Sequence, residues 1–597
     1  MLSIISFLLV VVIALAWLRF GFWNGFLHMM CVLVAGALAF ALWEPASMFL
    51  LGTDQGWLQD SAWGLGLALP FVAILLVIRI ACDKIIPSNV HFDSLGNIIG
   101  GGVTGFISGT ISVGILVISV NSFRVETDFM GYQPVQYESG QLVKKDGLLY
   151  PVDTLTAGFY STLSGGSFLP SDGETLAKWR PQAAMMGPLQ RVNFEDGASR
   201  NTVPPNAFEI VGKYTFTPEK DPKELLTDGA DPNDPGARTR VQNVTYFDGE
   251  KANAGNSTIE GYVVRFKAGA KEKSGRIIVG PAQMQLLVLK DPNDPTSSTM
   301  IQPMAVVSQA SGDKATLGRW RYDAQKVFIS SASGRDDAPM AFEFLVPKGA
   351  KPLGLYVKGT RVDVSALTGD NYVGQAKRDA AIMSGQIVKP VDKSKLDFSS
   401  ARDYKTNAAG GEMMITIRNQ MPFNMVMQKD NTKGLEYNET NEVTGGGLAK
   451  FSANDLKNTQ GMDPKLAVRR LYSPEDVVTL QVIVDRRNDV FGFLSDAAST
   501  ADATRGPVLL DQNLTPYSAV GFGYKTKGET WVYFNPQAPV DSLTAHEMPT
   551  LSRSQPDQEL VLIFRVSRNV KISHFAIGDK VLANFKPPVQ TPAPGMK

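Results

Sequence analysis

Four long apolar runs occupy the start of the chain, and short segments of strand-like alternation fill most of the remainder. The first run, Leu2 to Leu18, is uncharged and has no basic stretch before it. A secretory signal needs a basic leader and a small-residue cleavage site, so an uncleaved membrane helix is expected. Arg19 and a turn at Gly21–Gly25 (GFWNG) separate it from the second run, Phe26 to Trp43. A charged loop with Pro and Gly is expected from Glu44 to about Ala62. The third run, Gly64 to Ile80, contains Pro70, which membrane helices tolerate. The fourth spans Asp93 to Val120. Each run is close to the ~20 residues that a hydrocarbon core of roughly 30 Å requires.

The fourth run places small residues at four-residue steps: Gly96 and Gly100, then Gly101, Gly105 and Gly109. This spacing lets another helix backbone come close, which is how helices associate in lipid. It predicts a packing face, and with it a homo-oligomer or membrane complex built through this helix. The lipid bilayer is the first expected partner. His28 and Asp93, both near helix ends, read as interfacial groups rather than a proton relay.

Loop charges give an orientation. Arg19 lies in the first loop and Arg79 and Lys84 at the third, whereas the second has Glu44, Asp54 and Asp60 without Lys or Arg. The positive-inside rule then sets loops one and three in the cytoplasm and both termini outside.

These residues carry a resemblance. Four short helices, GFWNGF after the first, and an Asp-led, Gly-stepped fourth helix resemble the colicin V production protein (CvpA) family of bacterial inner-membrane proteins, over residues 1–124. The chain has Asn24 and Thr104 where that family usually carries basic residues. The resemblance implies a cytoplasmic (inner) membrane location and a role in toxin (colicin V) production or export and envelope homeostasis. It transfers no catalytic residue.

Beyond Arg124 the pattern changes. Residues 125–205 read as a juxtamembrane tether with an amphipathic helix near Tyr160. Residues 206–365 show strand signals such as Tyr262–Phe266, Gln285–Leu289 and Phe342–Val346, bounded by Gly, Pro, Asn or Asp. Residues 366–409 read as a linker with one short helix around Gln375 to Met383. Strand signals resume over 410–586, as in Val477–Val484, Trp531–Phe534 and Leu560–Val566, and 587–597 read as a disordered Pro-rich tail. The expected fold class is therefore multi-domain: an all-α membrane domain of four transmembrane helices, then two tandem all-β, β-sandwich-like domains. Phe342–Val362 and Leu562–Val581 share one layout of strand, basic turn, strand, glycine and valine. Duplication and the general likeness of hairpins explain this equally well.

Composition narrows the chemistry. The 597 residues hold 58 basic and 58 acidic side chains, and a net charge of zero does not mark a nucleic-acid binder. Both cysteines, Cys31 and Cys82, sit in the apolar runs, which excludes a disulfide framework or cysteine zinc site in the polar region. Of the four histidines, only His546 and His574 fall in the β region, and neither has a nucleophile motif beside it. Asp228, Asp231 and Asp234 cluster in one loop and form a weak calcium candidate without the EF-hand ladder. No phosphate loop joins a strand to a helix, so no cofactor is expected. The leading expectation is a non-enzymatic envelope protein whose outer domains bind a protein partner. An oligomeric channel or transport component lined by the fourth helix is the alternative, and an outer-side hydrolase a third class.

Overall fold

A computed structural model describes the chain except residues 54–55, 87–89, 91–92, 126–127, 139–140, 146, 167–174, 192–199, 218–255, 273–274, 293, 295, 310–316, 323–328, 331–337, 384–395, 407–413, 457–461, 476, 485–503, 552–554, 556 and 594–597. Four helices open it: α1 (Leu2–Phe20), α2 (Phe22–Leu51), α3 (Gly56–Ile85) and α4 (Ser94–Asn121). All four are long and apolar enough to cross a membrane.

Two predicted loops turn out to be largely helix. The turn at Gly21–Gly25 shrinks to Gly21, whose φ of 79° breaks the helix at one residue, and α2 resumes at Phe22. The charged loop expected over 44–62 is mostly helical, because α2 continues through Pro45 to Leu51. Pro45 removes one helical hydrogen bond, but pairing with α3 holds the segment together. Trp43 Nε1 donates to Trp63 O (2.7 Å), and Ser47 fits a notch at Gly66, where a Cβ would stand 2.2 Å from its Oγ.

Helix α4 is the most enclosed of the four. Asp93 caps its start by accepting from Gly96 N (3.0 Å). Gly101, Gly105 and Gly109 meet α1: added Cβ atoms would lie 2.6 Å from Trp17 O, 2.7 Å from Trp17 Cβ and 3.2 Å from Val10 O. Gly100 faces Phe22, and Gly96 faces only its own cap, Asp93. The predicted packing face therefore receives a helix of the same chain. Gly101, Gly105 and Gly109 are thus taken up by α1, and they do not support the oligomer contact expected through this face.

The segment read as a tether is docked. It holds the hairpin β1 (Val135–Glu138) and β2 (Gln141–Lys144), then α5 (Val152–Gly165), α6 (Leu176–Trp179) and α7 (Met186–Arg191). Two bundle glycines receive α5: Thr156 Oγ1 fills the notch at Gly114, and the Tyr160 hydroxyl fills that at Gly36 and donates to Leu33 O (3.1 Å). The amino terminus of Met1 donates to Met130 O (2.7 Å), so α1 begins beside this segment.

The first β unit contains β3 (Phe208–Thr217), β4 (Ser257–Phe266), β5 (Ile278–Val279), β6 (Met284–Leu289), β7 (Ser298–Ile301) and β8 (Ala305–Gln309). It continues with β9 (Leu317–Arg321), β10 (Ile329–Ser330), β11 (Ala338–Pro347), β12 (Lys351–Val357), β13 (Thr360–Asp363) and β14 (Asn371–Val373). One sheet has the order β14-β3-β4-β11-β8-β9 and a second β13-β12-β6-β7. Their core is shared, joining Tyr262, Val264 and Phe342 of the first to Leu286, Val288 and Leu355 of the second.

The second unit contains β15 (Arg402–Lys405) and β16 (Met414–Ile417), then an insertion with β17 (Met427–Gln428), β18 (Leu435–Tyr437), β19 (Glu442–Gly446), β20 (Leu448–Ser452), β21 (Ala467–Val468) and β22 (Arg470–Leu471). The main sheet resumes with β23 (Val477–Val484), β24 (Pro507–Asp511), β25 (Pro516–Lys525), β26 (Glu529–Phe534), β27 (Glu559–Ser567), β28 (Lys571–Ile577) and β29 (Lys580–Gln590).

The order β16-β23-β27-β25 with β26 beyond matches β3-β4-β11-β8-β9, and β29-β28-β24 followed by the start of β25 matches β13-β12-β6-β7. In both units the strand pair noted in the sequence steps from one sheet to the other, β11 to β12 and β27 to β28. A full strand order repeated in this way favours duplication over the general likeness of hairpins.

The linker reading of 366–409 also needs correction. Helix α8 (Gln375–Met383) has the predicted span, but β14 pairs in parallel with β3, and Arg378 is buried against Glu343 (2.8 Å). β15 pairs in parallel with β29. The tail is ordered further than expected: β29 runs through 587–590, with Val589 opposite Ile572, and Thr591 is buried. The gain is edge pairing, which a proline accepts where it owes no ladder hydrogen bond.

Candidate functional site

The end of α2 and the start of α3 meet the β region, Trp63 at Gly359 and Glu44 at Arg361, and Glu44 stands where three parts of the chain meet. Its Oε2 accepts from Arg180 Nη2 (3.0 Å) and its Oε1 from Arg361 Nε (3.2 Å). Arg180 follows α6 and Arg361 lies on β13, so one carboxylate ties a membrane helix to the docked segment and to the first β unit. Charge-assisted bonds of this kind are short and directional. The Arg180 side chain is only 4% exposed, and its guanidinium lies 4.5 Å from the Trp63 ring centroid and 5.3 Å from that of Trp43. Arg361 stands 4.0 Å over Trp179, whose carbonyl accepts from the Tyr356 hydroxyl. Arginine stacked on aromatic faces keeps its charge while losing little solvation, which suits a junction with an apolar wall.

A second chain of polar contacts runs beside this one. Asp60 of α3 pairs with Arg124 (3.1 Å), and Gln59 Oε1 accepts from Arg200 Nη2 (3.1 Å). The backbone N–H of Arg200 donates to both oxygens of Glu272, which also pairs with Lys358 (3.2 Å). Burial holds the Lys358 ammonium below the ordinary lysine range, with Glu272 pulling the other way. At the end of α4, Arg191 Nη2 donates to Asn121 Oδ1 (3.2 Å), and burial lowers that guanidinium to about 10.

Between α2, α5 and α6 lies a cavity of 530 Å³. Ala37, Phe40 and Ala41 of α2 and Leu163 of α5 form its apolar part, and Glu44, Arg180 and Arg361 its polar end. The arrangement can bind and orient an amphiphile. No nucleophile–base pair accompanies it among the described residues that line it.

The other residues singled out in the sequence take structural roles. His28 stacks on Trp17 (4.4 Å), over which Arg79 also lies, and Arg79 pairs with Asp83 (2.8 Å). Arg79 Nη2 donates to Asn24 Oδ1 (3.5 Å), which links α3 to α2. Thr104 packs at Gly25. His546 stacks on Tyr533, with Nε2 within 3.0 Å of the tyrosine hydroxyl and 3.1 Å of Pro539 O. His574 Nδ1 meets the neighbouring Ser573 Oγ (2.7 Å), and burial lowers its pKa. Asp228, Asp231 and Asp234 fall outside the described residues, and among those described no cluster of metal-ligating side chains occurs.

Sequence reasoning missed Arg180, Arg361, Trp179 and the cavity. The one available signal was Glu44 beside Pro45 and Trp43, a lone acid next to a membrane run, which reads as an ordinary loop. No protein-family model matches the chain, and no curated protein matches it.

Proposed function

We propose that the chain is a non-enzymatic integral protein of the cytoplasmic membrane, of CvpA-like type, with two β-sandwich-like domains held outside the cytoplasm to bind an envelope partner. The observation that supports this best is the junction at Glu44. A β region tied to the membrane helices by the buried Arg180 and the half-buried Arg361 is presented in a set orientation, as a partner-binding platform requires. The side follows from charge: Arg19, Arg79 and Lys84 lie at the end of the bundle away from the β region, and basic residues favour the cytoplasm. A role in toxin export or envelope homeostasis follows from the resemblance of residues 1–124. The packing of α1 on the glycine face of α4 favours this platform over the alternative of an oligomeric channel or transport component lined by the fourth helix.

Protease treatment of spheroplasts and of inverted vesicles tests the proposal. Digestion of the region after residue 130 from outside is expected. Digestion only in inverted vesicles would overturn the orientation and direct the search to a cytosolic partner.

A further inference from the structure

We propose that the cavity beside Glu44 is a binding site for an anionic phospholipid, with one acyl chain along Ala37 and Ala41 and the phosphate against Arg180, Arg361 and Trp179. The inference rests on the reading that α1–α4 span the membrane.

Size and shape come first. At 530 Å³ the cavity falls in the range of roughly 300–1,000 Å³ typical of small-molecule sites. Ala37 and Ala41 are one helical turn apart, so their small side chains form a groove along α2 rather than a closed pit. Their neighbours Leu38 and Leu42 are exposed, 45% and 46%, on the apolar surface that α2 turns to lipid. A chain leaving the bilayer would enter the groove without crossing a polar barrier.

The polar end has the chemistry of a phosphate site. Trp179 lines this end with Arg180, Arg361 and Glu44, two cations against one anion. That leaves one positive charge in excess, the complement of a monoanionic phosphodiester. The Trp179 indole N–H is buried in the same wall with no acceptor. A buried donor without an acceptor is unfavourable, and a phosphate oxygen would satisfy it. The side chains that define this end, apart from the Glu44 carboxylate, are donors. A zwitterionic lipid would bring its own cation into a site already positive.

Native mass spectrometry of the full chain, released from micelles doped equally with phosphatidylglycerol and phosphatidylcholine, tests the site. The wild type is expected to retain one phosphatidylglycerol in preference to phosphatidylcholine. Ala41→Trp should abolish retention, and Arg361→Gln should reduce the preference by roughly tenfold. Equal retention of the two lipids, or retention unchanged in Ala41→Trp, would overturn the site. A second measurement avoids any folding defect of that variant. Phosphatidylglycerol carrying a nitroxide on its headgroup should quench wild-type tryptophan fluorescence more strongly than that of Trp179→Phe, and equal quenching would overturn the proposal. The outcome is separable from that of the envelope reading: a β region digested only from the cytoplasmic side changes the leaflet concerned but leaves the lipid site standing.

Discussion

Glu44 and Arg361 lie 317 positions apart in the chain, yet their side chains meet at 3.2 Å. The same carboxylate holds Arg180 at 3.0 Å, so a single membrane-helix residue closes two long-range contacts. The arginines differ in exposure, 4% for Arg180 and 20% for Arg361.

That difference sets the first prediction. Glu44→Gln should destabilise the junction by about 2–3 kcal/mol, chiefly by leaving the Arg180 charge buried without its partner. Double-mutant cycles in chemical denaturation should give a larger coupling for Glu44–Arg180 than for Glu44–Arg361, where solvent screening limits the term to about 1 kcal/mol or less. Equal couplings would contradict the burial argument.

Gly359 forms the turn between β12 and β13, with φ of +84°, against the indole of Trp63. A Cβ there would stand 2.7 Å from Trp63 Nε1 and would also strain the backbone. Gly359→Ala should therefore cost about 2 kcal/mol or more. Gly354→Ala, whose nearest neighbour would be Trp179 Cζ3 at 3.4 Å, should be close to neutral. Thermal unfolding of the two variants side by side measures the contrast.

Asp455 gives a pH dependence. Its carboxylate accepts from Ser452 N and Oγ (both 2.8 Å) and from Asn431 Nδ2 (3.2 Å), and these bonds hold its pKa down at about 2. The folded-state value lies below the ordinary ~3.9. Its stabilising effect is thus complete above about pH 4 and is lost as pH falls toward 2. The denaturation midpoint of Asp455→Asn should fall less steeply than that of the wild type across this window.

Cys31 Sγ and Cys82 Sγ lie 3.6 Å apart across α2 and α3. Mild oxidation of membranes should join them and remove both free thiols from maleimide labelling, whereas Cys82→Ser should leave Cys31 an uncrosslinked free thiol. Failure of the wild type to crosslink would mean that the register of α2 on α3 is wrong.

Much of this architecture is legible along the chain. Unbroken apolar runs specify the membrane helices, because lipid obliges the backbone to satisfy its own hydrogen bonds. Short β-branched and aromatic runs specify β4, β23 and β27, and the span Gln375–Met383 is read as helix before any contact is known. The glycine steps of α4 announce a close helix neighbour.

Only the tertiary structure decides which neighbour, since α1 and a second copy of α4 would present the same small-residue requirement. It also decides that Glu44 and Pro45 are helical, because Trp43, Ser47 and Gly66 hold α2 to α3 more strongly than one proline disrupts it. The site itself is assembled from Glu44, Arg180 and Arg361, each of which reads alone as a solvated charge. Local pattern is written in neighbouring residues, but charge pairing and cavity shape depend on the distances that packing creates between residues hundreds of positions apart.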